Sequence, residues 1–146
     1  MKLKQLSLFL ENKPAHLKAP CRALADAGIT ILTLSLADAD QFGILRLIVE
    51  RPAEAQAVLE KAGHVVTVNE VVAVEVADRP GGLADLLEVL DEAGINIDYM
   101  YAFTYGCDGK AALVFRFEDP DAAIAALEAR SMGVLDDATL AGRSQG

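Results

Sequence analysis

Val72-Ala73-Val74-Glu75-Val76-Ala77-Asp78-Arg79-Pro80 decides the fold, because it restates, 66 residues on, the stretch Leu6-Ser7-Leu8-Phe9-Leu10-Glu11-Asn12-Lys13-Pro14. In both stretches apolar residues alternate along the chain, the period-two mark of a strand with a buried face, and a proline then fixes a turn. The echo continues past the turn, where Ala27-Gly28-Ile29-Thr30-Ile31 returns as Ala93-Gly94-Ile95-Asn96-Ile97. The 146 residues therefore hold two copies of one small unit, residues 1–69 and 70–146. Duplicated units tend to sit about a pseudo-twofold axis, which favours a site where the copies meet.

Between the echoes lies a helix. Leu83, Leu86, Leu87 and Leu90 fall at i, i+3, i+4 and i+7, and Gly94 stands where a helix ends. Residues 29–36 and 95–103 read as second strands, and 45–50 and 112–117 as third strands. Pro52 and Pro120 open Ala/Glu-rich helices over 53–62 and 121–130, a position that suits proline. By this point the offset is 68, so the hairpin of the second copy has gained two residues. His64 to Val68 closes the first copy as a fourth strand, with Met132 to Leu135 its weaker counterpart. Each copy reads βαββαβ. The fold class is α+β: two tandem ferredoxin-like units whose antiparallel sheets join side by side across a few linking residues near Asn69 and Glu70.

Strand 95–103 offers Ile95, Ile97, Tyr99, Tyr101 and Phe103 on one face and Met100 and Ala102 on the other. A sheet covered by helices on one side only should be more polar on its outer face. Another protomer's sheet over that second face, hence a homodimer, is the expectation.

Composition narrows the function. Hydrophobic residues make up 53% of the chain but aromatics only 5%, so the cores are aliphatic. Net charge is −9, with 8 Lys+Arg against 7 Asp+Glu in residues 1–69 and 5 against 15 in residues 70–146. The cations form no stripe, which argues against nucleic acid or an anionic membrane as partner. No apolar run approaches a membrane span and no secretory leader is visible, so the expectation is a cytoplasmic protein. Cys21 and Cys107 occupy non-equivalent positions without metal-site spacing, and His16 and His64 stand alone, so neither a disulfide framework nor a metal is expected.

Asp78-Arg79-Pro80-Gly81-Gly82-Leu83 joins a strand to a helix. Asp78 can cap the helix, Pro80 fixes the turn, and the glycines leave backbone N–H groups open at the positive helix end, where a carboxylate fits. The same residues also describe an ordinary turn. Together with the βαββαβ unit and the Ala-Gly-Ile-Asn-Ile strand entry, this turn resembles the ACT domain, a small-molecule-sensing module attached to many enzymes of amino-acid metabolism. Asn12, Pro14, Leu17, Gly28 and Ile29 carry the resemblance in the first copy. Lys4 to Lys13, Phe42-Gly43-Ile44-Leu45-Arg46 and Asp98-Tyr99-Met100-Tyr101-Ala102-Phe103 resemble the small stand-alone tandem ACT proteins in particular.

The resemblance implies that amino acids bind between side-by-side domains, held by the first strand-to-helix turn of one and strand 2 of its neighbour. Carried over, it nominates Asn12, Lys13, Pro14, Ala15, His16 and Leu17 with Leu34 in the first copy, and Asp78, Arg79, Pro80, Gly81, Gly82 and Leu83 with Tyr99, Met100 and Tyr101 in the second. The amides of Gly81, Gly82 and Leu83 would take the carboxylate and Asp78 or Asn12 the ammonium. The first copy departs from the pattern: Ala15 and His16 replace Gly81 and Gly82, and Pro20 stands where Leu86 stands. A proline deep in a helix costs about 3 kcal/mol unless the helix starts late or kinks. The two turns should therefore differ, with the second copy's the stronger binder. His16 is either a ligand contact or an exposed residue at a helix start, and the Tyr99, Tyr101 and Phe103 stripe either a stacking floor or core and interface.

No nucleophile elbow, catalytic triad or phosphate-cradling loop appears, so no catalytic residue and no cofactor is expected. An acylphosphatase-like hydrolase would need an arginine in the first turn. Arg79 is there, but the first copy has Lys13 and the anion-binding loop is missing. The leading reading is a non-catalytic sensor that binds a free amino acid at the interface of its two units and acts on an enzyme or regulator of amino-acid metabolism. The alternative is a protein-binding adaptor without a small ligand.

Overall fold

The computed structural model describes residues 2–11, 13–39, 42–103, 109–136 and 139. The chain divides into two compact units, one of residues 4–69 and one of residues 70–146 together with residues 1–3. Their elements run β1 (Leu3–Glu11), α1 (Lys18–Asp26), β2 (Ile31–Ala39), β3 (Phe42–Val49), α2 (Pro52–Lys61), β4 (Val66–Ala77), α3 (Gly82–Glu92), β5 (Ile97–Ala102), β6 (Lys110–Phe117), α4 (Pro120–Ala129) and β7 (Gly133–Leu135). The expected link near Asn69 and Glu70 is not a loop. The closing strand of the first copy and the opening strand of the second are one uninterrupted strand, β4, since Val-Thr-Val-Asn-Glu-Val-Val-Ala-Val contains neither proline nor glycine to break it.

In the first unit the strands pair antiparallel in the order β2-β3-β1. The register Leu6↔Leu47 and Leu8↔Leu45 points these leucines at the helices, where they bury with Leu24 of α1 and Leu59 of α2. On the opposite face lie buried Gln5 and Ser7, with Gln5 Nε2 donating to Ser7 Oγ at 3.3 Å and Ser7 Oγ to Asn69 Oδ1 at 3.3 Å. In the second unit the order is β7-β4-β6-β5, all antiparallel. Val72↔Phe115 and Val74↔Leu113 face Leu86 and Leu90 of α3 and Leu127 of α4, and the rings of Phe115 and Phe117 stack at 5.3 Å.

Helices α1 to α4 end alike. Gly28, Gly63, Gly94 and Ser131 take positive φ, and the amide just beyond each reaches back to close the last turn: Ile29 to Leu24, His64 to Leu59, Ile95 to Leu90 and Met132 to Leu127. Pro52 and Pro120 occupy the first helical turns as expected, and Asp119 caps α4, its carboxylate accepting from the Ala122 amide at 3.1 Å. Lys2 pairs with Asp121 at 3.1 Å and Glu70 at 3.6 Å, and Leu3 is buried, so the first residues of the chain complete the second unit.

The face assignment of the second strand needs correction. A bulge interrupts β5, so Ile97 pairs with Phe117 and Tyr99 with Arg116, leaving Asp98 as the extra residue. The bulge moves every later side chain to the other face. Ile97 and Met100 pack into the helix-side core while Tyr99 and Tyr101 lie on the opposite face. β2 carries the same bulge between Ile31 and Thr33.

Candidate functional site

At the second copy's turn, strand and helix nearly touch. The Arg79 amide donates to Ala77 O at 3.0 Å, the Gly82 amide to Arg79 O at 3.0 Å, and the Asp85 amide to Gly81 O at 2.9 Å. Gly81, at φ 88°, is the N-cap of α3. A Cβ on Gly82 would lie 2.0 Å from Ala77 O, a gap that admits only hydrogen. Asp78 does not cap the helix; its amide donates to Gly109 O at 2.9 Å and so ties the turn to the β5–β6 hairpin. The Arg79 guanidinium folds back to donate to Pro80 O at 3.1 Å and to Asp85 Oδ2 at 3.2 Å. Of the three amides expected to receive a carboxylate, the one on Gly82 is already engaged inside the turn.

In the first copy the same path is taken by different residues. Ala15 adopts φ 73°, the left-handed conformation of its equivalent Gly81, at a cost of about 1–2 kcal/mol for a residue with a Cβ. His16 stands in Gly82's place, where a side chain cannot share that gap, and α1 begins only at Lys18, two positions later than α3 does by equivalence. The late start answers the question posed by Pro20. It lies in the first turn of α1, where its missing N–H would have had no helical partner.

Glu11 and Lys13 form an exposed ion pair at 2.6 Å beside His16. The hydrogen bond and charge of Lys13, then the nearby His16, hold the Glu11 carboxyl below the usual carboxylate range; Glu11 in turn raises the Lys13 ammonium.

Each turn opens onto a cavity. The first, of about 340 Å³, is lined by Leu10, Glu11, Lys13, His16, Leu17, Leu36, Ala37, Phe42 and Gly43. The second, of about 320 Å³, is lined by Glu75, Val76, Ala77, Arg79, Gly82, Asp85, Lys110, Ser131, Met132 and Gly133. Five positions are equivalent: Leu10 and Val76, Glu11 and Ala77, Lys13 and Arg79, His16 and Gly82, Phe42 and Lys110. From that shared corner the cavities diverge. The first runs toward β2 and β3 over an apolar wall, the second toward β7 between the pairs Arg79–Asp85 and Lys110–Glu75, the latter at 3.4 Å.

The first cavity thus gathers Lys13, His16 and Leu17 from the nominated residues, and the second gathers Arg79 and Gly82. Pro14 and Ala15 shape their turn without lining the cavity, as do Asp78, Pro80, Gly81 and Leu83 in theirs. Leu34 is an exposed residue of β2, and Tyr99, Met100 and Tyr101 line neither cavity. Asn12 and Cys107 lie outside the described residues, as does the β5–β6 hairpin tip with its inserted residues. Glu11, Phe42 and Gly43 join the site without belonging to the residues that the resemblance nominates. The pairing Glu11↔Phe42 and Leu10↔Gly43 brings them there, and the signal open to sequence reading was the Phe42-Gly43 dipeptide at the start of a strand.

Two βαββαβ units, each with a cavity at its first strand-to-helix turn, define a tandem ferredoxin-like module. The chain belongs to the ACT domain family, matching the ACT domain pair over residues 1–142. Among solved structures it is similar to protein BT0572 from Bacteroides thetaiotaomicron, with 34% identity, a TM-score of 0.90 and coverage of 96% of both chains. It shares its fold with the regulatory subunit of aspartate kinase from Thermus thermophilus in its ligand-free form, at 18% identity and a TM-score of 0.64, covering 88% of this chain and 92% of that one. No curated protein matches the chain. Among the described residues no helix is long and apolar enough to cross a membrane.

Proposed function

We propose that the chain is a non-catalytic regulatory module that binds a free amino acid at the first strand-to-helix turn of its first copy. The carrying observation is the cavity beside Glu11 and Lys13, which sets an anion and a cation side by side at the mouth of an apolar recess. A zwitterion presents the complementary pair: Glu11 takes the ammonium and Lys13 the carboxylate. Because that ion pair is exposed, exchanging it for the ligand's charges costs little. This moves the weight from the second turn to the first, whose ion pair stands against an apolar wall where the second cavity runs between two ion pairs.

Membership of the ACT domain pair family and a fold shared with a protein named as a kinase regulatory subunit support the regulatory reading. The output is a partner protein, an enzyme or regulator of amino-acid metabolism, whose response is bounded by the ligand's differential affinity for two states of the module. The test is a thermal shift of the intact chain against the common amino acids. A stabilising ligand whose effect Lys13→Ala removes supports the sensor; no shift by any of them favours an adaptor without a ligand.

Homodimerisation also belongs to this reading, and its test lies away from the core. Val74 and Leu113 sit beneath the helices, where a charge would unfold the unit, whereas Phe9 is 68% exposed. Phe9→Asp is expected to turn a dimer into a folded monomer by light scattering.

A further inference from the structure

We propose that the ligand of the first cavity is an amino acid with an aliphatic side chain, an inference that rests on the amino-acid reading of that cavity. Its polar groups lie together on one side, where Glu11, Lys13 and His16 come from the end of β1 and the turn. The remaining wall is Leu10, Leu17, Leu36, Ala37, Phe42 and Gly43, whose side chains carry no hydroxyl, amide or charge. Once Glu11 and Lys13 hold the two charges of the ligand, His16 is the one polar side chain left in the lining, and a hydroxyl or carboxylate laid along the opposite wall finds no side-chain partner there.

The apolar wall has surface to gain. Leu17, Leu36 and Phe42 are 40%, 51% and 50% exposed, which large hydrophobics tolerate singly but which here converges on one recess. A branched aliphatic side chain laid among them covers all three. Gly43 and Leu36 meet in this wall: a Cβ built on Gly43 lies 3.1 Å from Leu36 Cδ1, so a larger residue there displaces a side chain that lines the cavity. In the second copy the equivalent of Phe42 is Lys110 and that of Glu11 is Ala77, so the apolar wall is missing and the carboxylates of that cavity, Glu75 and Asp85, pair with Lys110 and Arg79.

The test is calorimetry of the intact chain with glycine, alanine, valine, leucine, threonine, aspartate and lysine. Affinity is expected to climb from glycine to leucine by about fourfold for each buried methylene, with threonine weaker than valine and the two charged side chains failing to bind. Gly43→Ala should weaken leucine more than alanine, and Leu36→Ser should flatten the climb while the alanine affinity changes little. If threonine, aspartate or lysine binds tightest and Lys13→Ala abolishes that binding, the aliphatic assignment falls and the amino-acid site stands. If no amino acid binds, or Lys13→Ala leaves binding unchanged, the cavity is not the site and both readings fall together.

Discussion

The two first turns start from equivalent residues and end as different objects. In the second copy, glycine at position 82 lets the helix begin against the strand carbonyl, and the turn closes on its own hydrogen bonds. In the first copy, histidine at the equivalent position goes with a later helix, a left-handed alanine and a cavity with an apolar wall. Both copies make the turn's hydrogen bonds, but those of the His16 and Ala19 amides stretch to 3.4 and 3.3 Å where those of Gly82 and Asp85 measure 3.0 and 2.9 Å. The loss of a glycine, usually counted as the loss of a backbone anion site, here accompanies the better-shaped recess.

The contrast breaks most readily at its centre. Gly82→Ala forces a Cβ against a backbone carbonyl and should destabilise the second unit by about 3 kcal/mol or more, the upper part of the range for overpacking. His16→Gly should cost about 1 kcal/mol at most, since a surface glycine adds only backbone entropy. Urea unfolding compares the two. Equal effects would mean that the turns are not under different constraints.

Ligand binding gives the next largest difference. Lys13→Ala is expected to weaken an amino acid by about 2 kcal/mol, the worth of a charge-assisted hydrogen bond, while Arg79→Ala leaves affinity within error. Calorimetry showing the reverse would return the site to the second copy.

A smaller effect changes sign between the copies. Ala15→Gly relieves a left-handed alanine and should stabilise the chain by about 1 kcal/mol, whereas Gly81→Ala creates that strain and should destabilise by about as much. Gly81 is suited to the comparison because an added Cβ meets nothing closer than Arg79 Nη1 at 3.6 Å.

The smallest effect is on pH dependence. Lys13 holds the Glu11 carboxyl below its ordinary value, so the pair contributes above the unfolded carboxylate range and is lost as pH falls through the depressed value. Amino-acid affinity should therefore hold steady down to the normal carboxylate range and fall below it. With Glu11→Gln that acid-side fall should disappear, along with most of the binding.

What could be read from the chain was what neighbours in sequence determine. The repeat, the glycine helix ends and the prolines at α2 and α4 all act within a turn or two, and their local chemistry is unambiguous. The late start of α1 was legible as one of two answers to Pro20, and the structure chose it. Strict alternation hid the bulges at Ile31/Thr33 and Ile97/Tyr99, because one extra residue leaves no compositional mark in an apolar strand. The lining by Phe42 and Gly43 depends on which residue of β3 meets Glu11, a register set by pairing across more than 30 positions. The turn announced itself, but its far wall comes from elsewhere in the chain.

Lys2 and Leu3 belong with a unit whose other residues start at Glu70, and Lys2 reaches as far along the chain as Asp121 for a partner. The first unit closes from one unbroken stretch, residues 4–69, whereas the second waits on contacts at long sequence separation, which are slow to form. A substitution at Lys2 or Leu3 therefore bears on the far half of the sequence, and its consequence would be read in the folding of the second unit, not in that of the stretch it adjoins.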